Sequence, residues 1–224
     1  MAIQRPEILQ AAVQQLRQYG IIDFSLSALA STLGCSKSTI YKHFPNKSEL
    51  MIAVQSRTLQ SNIQAAKILL HHPALSTQEQ LLALHGFPIL MQMRSPADHG
   101  LRFLPVNQAM WLDANPATVD HWAGDLMWLF RAAEMSLKRA VRAGKLAASP
   151  KQLSLVSVDM MALQRGKMTM LDNVGMAQPE QYKVLQAYLQ QQQFLLQSLD
   201  WVNDHGVDLA KVQQVLLDYC SGKI

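Results

Sequence analysis

Along most of the chain apolar residues return every three or four positions and strict alternation of the strand kind is almost absent, so the pattern predicts helices throughout. Glycine, proline and capping residues divide them. In the first segment Ile8, Leu9, Ala12, Leu16 and Tyr19 fall on one face, Pro6 suits a first turn, and Gly20 supplies a left-handed residue to end it. Two short helices follow. Ser25 caps the first, which runs to Leu33; Gly34 breaks it, and Ser36 caps the second, which runs to Phe44. Pro45 and Asn46 then open a longer helix, residues 46–70, whose Asn46-Lys47-Ser48-Glu49 start has the form of a capping box: Asn46 accepts from the Glu49 amide and Glu49 from the Asn46 amide.

Beyond His71-His72-Pro73 the same reading gives helices near residues 76–94, 98–113, 116–143, 149–173, 178–203 and 207–220. The breaks are Ser95-Pro96, Asn115-Pro116, Ser149-Pro150, Gln178-Pro179 and Gly206. The expected fold class is all-α, about nine to ten helices in all: an N-terminal three-helix domain over residues 1–50, linked through the helix 46–70 to a larger helical bundle, residues 71–224.

Composition narrows this picture. Of 224 residues, 49% are hydrophobic and 16% charged, enough to bury a core; a net charge of +4 is compatible with a polyanionic partner without demanding one. Cys35 and Cys220 have no metal-ligand or disulfide-framework spacing, which fits a reducing cytoplasm, and no apolar run reaches the length of a membrane span.

The segment Phe24 to Leu50 carries the chemistry. A helix-turn-helix needs two short helices joined at a steep angle by a glycine-containing turn, apolar residues to lock them, and small or cationic residues facing the groove. Leu26, Leu29, Ala30 and Leu33 supply packing from the first helix and Cys35, Ile40 and Phe44 from the second. That leaves Ser36, Lys37, Ser38, Thr39, Tyr41, Lys42 and His43 directed outward, with no acid between Asp23 and Glu49.

The segment resembles the TetR family of bacterial transcriptional regulators: Leu29-Ala30, Gly34, Ser36-Lys37, Tyr41, His43-Phe44 and Lys47 to Leu50 follow the family's order, and Ile8-Leu9, Ala11-Ala12 and Gly20 match upstream. Leu16, Cys35 and Ala28 depart from the usual types without removing a DNA-facing group. The resemblance implies a sequence-specific DNA-binding regulator, a repressor released from a palindromic operator by a small apolar or aromatic effector. Double-stranded DNA is then the partner, with contacts from Ser36, Lys37, Ser38, Thr39, Tyr41, Lys42, His43 and Lys47. Lys37 and Lys42 can reach bases or phosphates; Tyr41 and His43 would meet the backbone; Lys47 would add charge where the amides of a helix start already favour an anion.

Between Leu81 and Met135 methionine and aromatic residues concentrate, and most belong to a core. Methionine also adapts to irregular space, so Phe87, Met91, Phe103, Met110, Trp111, Trp122 and Met127 are candidate pocket residues. The scattered histidines His71, His72, His85, His99 and His121 lack metal-ligand spacing, so neither a metal nor another cofactor is expected. Esterase, zinc-protease, dinucleotide and phosphate-loop patterns are missing, which argues against an enzyme. A TetR-like nucleoid-associated or partner-recruiting protein without a small-molecule ligand is not excluded.

In the last long helix Tyr182, Leu185, Leu189, Leu196 and Leu199 form one apolar stripe and Val184, Tyr188, Leu195 and Val202 a second. A single core covers one stripe, so a homodimer through residues 149–173 and 178–203 is expected to cover the other.

Overall fold

The computed structural model describes residues 3–94, 111–171, 181–202 and 206–224. Among them are nine helices: α1 Arg5–Tyr19, α2 Leu26–Thr32, α3 Lys37–His43, α4 Lys47–Leu69, α5 Thr77–Arg94, α6 Pro116–Arg142, α7 Pro150–Leu171, α8 Gln181–Gln197 and α9 Leu209–Cys220. Two residue pairs, β1 Leu146–Ala147 and β2 Asp200–Trp201, form an antiparallel bridge. The protein is all-α, as the periodicity predicts. The helix expected over 98–113 falls mostly outside the described residues, and Trp111 to Asp113 form a turn.

By compactness the chain forms two units, residues 1–61 with 95–126, and residues 62–94 with 127–224. In the first, Ile8, Ala12, Leu16, Phe24, Leu29, Ile40, Phe44 and Leu50 are buried around α1 to α3 and the start of α4. Tyr19, expected on the buried face of α1, is 54% exposed, because the face turns through Ala11 and Gln15. Ser25 and Ser36 cap α2 and α3, and Gly20 and Gly34 take the positive φ values, 70° and 63°, that end the preceding turns.

The second unit is built round α5, which is buried on nearly every side because it packs against α7, α8 and α9. At Gly86 the approach is closest: a Cβ there would stand 2.9 Å from Leu216 Cδ1 and 3.0 Å from Leu189 Cδ2. The first stripe of α8 is covered within this one chain, Leu185, Leu189, Leu196 and Leu199 all being buried; of the second, Val184 and Tyr188 are buried, Leu195 is half-buried and Val202 is 48% exposed. The reason for expecting a partner copy there is therefore weakened: α8 meets three helices of its own unit, which cover the first stripe and half of the second. The side chain of Tyr182 lies outside the described residues. The apolar side chains left open on these helices are others, Leu155, Val158 and Met170 on α7 and Phe194 on α8.

The predicted helix 178–203 also ends early, at Gln197. The Trp201 indole turns back to donate to the Leu196 carbonyl at 2.8 Å, and the Ser198 hydroxyl donates to the Leu195 carbonyl at 2.7 Å. These bonds satisfy carbonyls at the helix end, and Trp201 then pairs with Leu146.

Candidate nucleic-acid interface

The geometry of α2 and α3 follows from a few buried residues. Leu29 and Ala30 of α2 meet Ile40 of α3, with Phe44 closing the far end; Ile40 is 0% exposed. The turn is closed by Cys35 N donating to the Ala30 carbonyl at 3.0 Å. Arg5 lays its guanidinium 4.9 Å above the Phe44 ring, tying α1 to the end of α3.

With Ile40 and Phe44 turned inward, Lys37, Ser38, Tyr41 and Lys42 are exposed, and Thr39 is half-buried. The Ser36 hydroxyl accepts from Thr39 N at 3.2 Å and lies 2.7 Å from the Ser38 hydroxyl and 3.0 Å from that of Thr39. Three hydroxyls therefore cluster at the start of α3, and Lys37 and Lys42 flank them without an acidic partner among the described residues.

Two candidate contacts are engaged inside the protein. The His43 ring faces the Ile3 carbonyl, Nε2 donating at 3.1 Å. Lys47 is half-buried, its ammonium donating to the Phe24 carbonyl at 3.0 Å and standing 5.3 Å above the Phe24 ring. Each thus makes one polar contact within the helix-turn-helix. The capping box at α4 is likewise half local: Asn46 Oδ1 accepts from Glu49 N at 2.8 Å, but the Glu49 carboxylate accepts from Asn115 N at 2.7 Å. The Asn46 amide donates to the Asp113 carbonyl at 2.6 Å, so the start of α4 is clamped to the turn before α6.

The described pocket candidates fall in both units. Trp111 and Trp122 stack at 5.1 Å in the first unit. In the second, Phe87 meets Tyr219 edge-on at 5.3 Å, Met91 accepts from the Cys220 thiol, and Met127 is 43% exposed. Phe103 and Met110 lie outside the described residues. A small open cleft of about 140 Å³, lined by Thr77, Gln80, Ser136, Arg139 and Lys145 among others, contains none of these candidates.

What sequence reasoning missed is a polar seam in the core of the second unit. His85 Nδ1 lies 2.8 Å from Gln164 Oε1, Gln92 donates to the Met168 carbonyl at 2.8 Å, and Gln192 donates to the Met160 carbonyl at 2.9 Å and to the Tyr188 hydroxyl. Burial pushes His85 down to about 4 against the opposing bond from Gln164, so it is neutral at pH 7. The signal was present as polar letters at core spacing, 85 and 92 on α5.

Comparison with known proteins agrees with this arrangement. Residues 8–54 match the family model described as bacterial regulatory proteins, tetR family. Comparison with curated protein sequences gave no match. Among solved structures, a TetR transcription regulator from Haloarcula marismortui is similar over 87% of this chain and 97% of its own, with 16% identity and a TM-score of 0.66. A TetR-family regulator from Mesorhizobium loti is similar over 88% and 96%, with 20% identity and a TM-score of 0.62. FadR from Bacillus subtilis, solved in complex with stearoyl-CoA, is similar over 84% and 96%, with 15% identity and a TM-score of 0.65. Those likenesses concern the fold; the residues that build α1 to α4 carry the kinship. Residues 8–54 thus match the helix-turn-helix model of the TetR family, and the helical fold of the chain is the one seen in TetR-family structures.

Proposed function

We propose that this chain is a sequence-specific DNA-binding regulator that works as a homodimer, a repressor released from an inverted-repeat operator by a small apolar or aromatic effector. The observation that carries the DNA part is the outer face of α3: Ser36, Lys37, Ser38, Thr39, Tyr41 and Lys42 stand together on a helix whose other side is locked by Ile40 and Phe44. Short hydroxyl side chains let the helix backbone approach the groove floor, while the two lysines supply base or phosphate contacts. His43 and Lys47 support the same function from behind, by fixing the N-terminal segment and the start of α4. Residues 1–50 act as the reading head, the helix 46–70 joins it to the rest, and residues 71–224 sense and dimerise.

Dimerisation is assigned to α7 and α8. Leu155 and Val158 stand one turn apart on α7, Met170 is exposed near its C-terminal end, and Phe194, 73% exposed, stands on α8. A two-fold contact through them would bury four large apolar side chains per copy and pair two reading heads. The effector reading is supported by FadR, a neighbour in fold that was solved with stearoyl-CoA. Selection of duplexes from a random pool by the purified protein tests the proposal. An inverted repeat with half-sites about 34 to 36 Å apart, or a multiple of that, is expected; enrichment of no motif would defeat it.

A further inference from the structure

The polar seam of the second unit contains two buried acceptors, His85 Nε2 and Gln192 Oε1, that have no hydrogen-bond partner among the described residues. Their chemical state follows from the neighbouring bonds. Gln164 turns its amide nitrogen toward Met168 Sδ at 3.8 Å, which leaves its oxygen facing His85; His85 therefore donates from Nδ1, and Nε2 carries a bare lone pair. Gln192 commits its amide nitrogen to the Met160 carbonyl and the Tyr188 hydroxyl, so Oε1 is again an acceptor alone. Gln192 is 0% exposed and His85 6%.

Their partners place them side by side. Met160 and Gln164 are one turn apart on α7, about 6 Å along the axis, and hold Gln192 and His85 respectively. A buried acceptor without a donor is destabilising, and leucine at either position would avoid that cost in an otherwise apolar core. The two residues thus form a built feature that a donor completes.

We propose that His85 and Gln192 are the polar anchor of the effector site, and that the effector is an uncharged apolar or aromatic compound bearing a hydroxyl, not a carboxylate or a phosphate. The inference rests on the reading that this body binds an effector, and it specifies that effector's polar end. An anion is disfavoured because both anchor atoms present negative density and the imidazole is uncharged at pH 7. The cation next to Gln164 in sequence, Arg165, is stacked 5.6 Å over the Phe130 ring.

The test uses calorimetric titration of the full-length protein with matched probes: 1-naphthol, 1-methoxynaphthalene and 1-naphthoate, then octanol, methyl octyl ether and octanoate. In at least one series the alcohol is expected to bind ten-fold or more tighter than both its ether and its carboxylate. His85→Phe and Gln192→Leu should each cut that preference to under three-fold while leaving the ether's affinity in place. Circular dichroism confirms the fold of each variant, and either one alone suffices if the other does not fold. Equal binding of alcohol and ether, tighter binding of the carboxylate, or a preference that survives substitution overturns the inference and leaves the effector reading standing. Failure of every probe to bind contradicts the effector reading itself, and the anchor falls with it.

Discussion

At the scale of single residues, burial decides which side chains act on the outside world. Lys42 and Lys47 look alike in sequence, five positions apart in one basic segment, yet Lys42 is exposed and Lys47 is tied to Phe24. No local pattern could separate them, because the Phe24 carbonyl that captures Lys47 is supplied by the loop before α2. His85 gives a prediction with a definite sign. Its pKa is pushed down to about 4 in the folded protein by burial, below the unfolded value of 6.5, so the unfolded chain binds more protons between those values. Stability should therefore fall as pH drops from about 6.5 towards 4, by about 2 kcal/mol between pH 7 and 5 from this residue. Urea unfolding of the native protein and of His85→Phe at both pH values measures it; an equal pH dependence in the two proteins would refute the assignment.

Helices were the most legible elements, and their limits fail for identifiable reasons. Caps at Ser25 and Ser36 and the glycine ends were readable because each involves residues within four positions of one another. The early end of α8 was not, because Trp201 turns back to Leu196 and pairs with a strand residue from the other side of α7. The Glu49 carboxylate left its own capping box for an amide 66 residues away. Gly86 supplies the prediction at this scale. Alanine there gains about 1 kcal/mol of helix propensity, but its Cβ meets Leu216 and Leu189, both 0% exposed and unable to swing aside. Overpacking of this kind costs about 1 to 3 kcal/mol, so Gly86→Ala should lower stability by about 1 kcal/mol net and reduce the thermal midpoint. A midpoint equal to or above that of the native protein would show that α5 does not pack as closely as described.

Across the whole molecule, the sequence reading placed a dimer contact on residues 149–173 and 178–203 by an argument from the two stripes of α8 that the packing largely removes. Most of both stripes of α8 is used inside the chain, and the apolar side chains left open on the two helices are Leu155, Val158 and Met170 on α7 and Phe194 on α8. The double change Leu155→Lys and Phe194→Lys should convert the dimer to a monomer in light scattering without loss of helix content. A dimer that persisted would place the interface elsewhere. DNA affinity should fall when dimerisation is lost, since two linked heads gain from one another what a single head lacks. The central claim is that the outer face of α3 reads DNA, and it is tested most directly by titrating native protein and Lys42→Ala against the selected duplex and a scrambled one at several salt concentrations. The account predicts a loss of about 1 to 3 kcal/mol on the selected site and a smaller loss on scrambled DNA. Unchanged affinity for both duplexes, at every salt concentration, would contradict it.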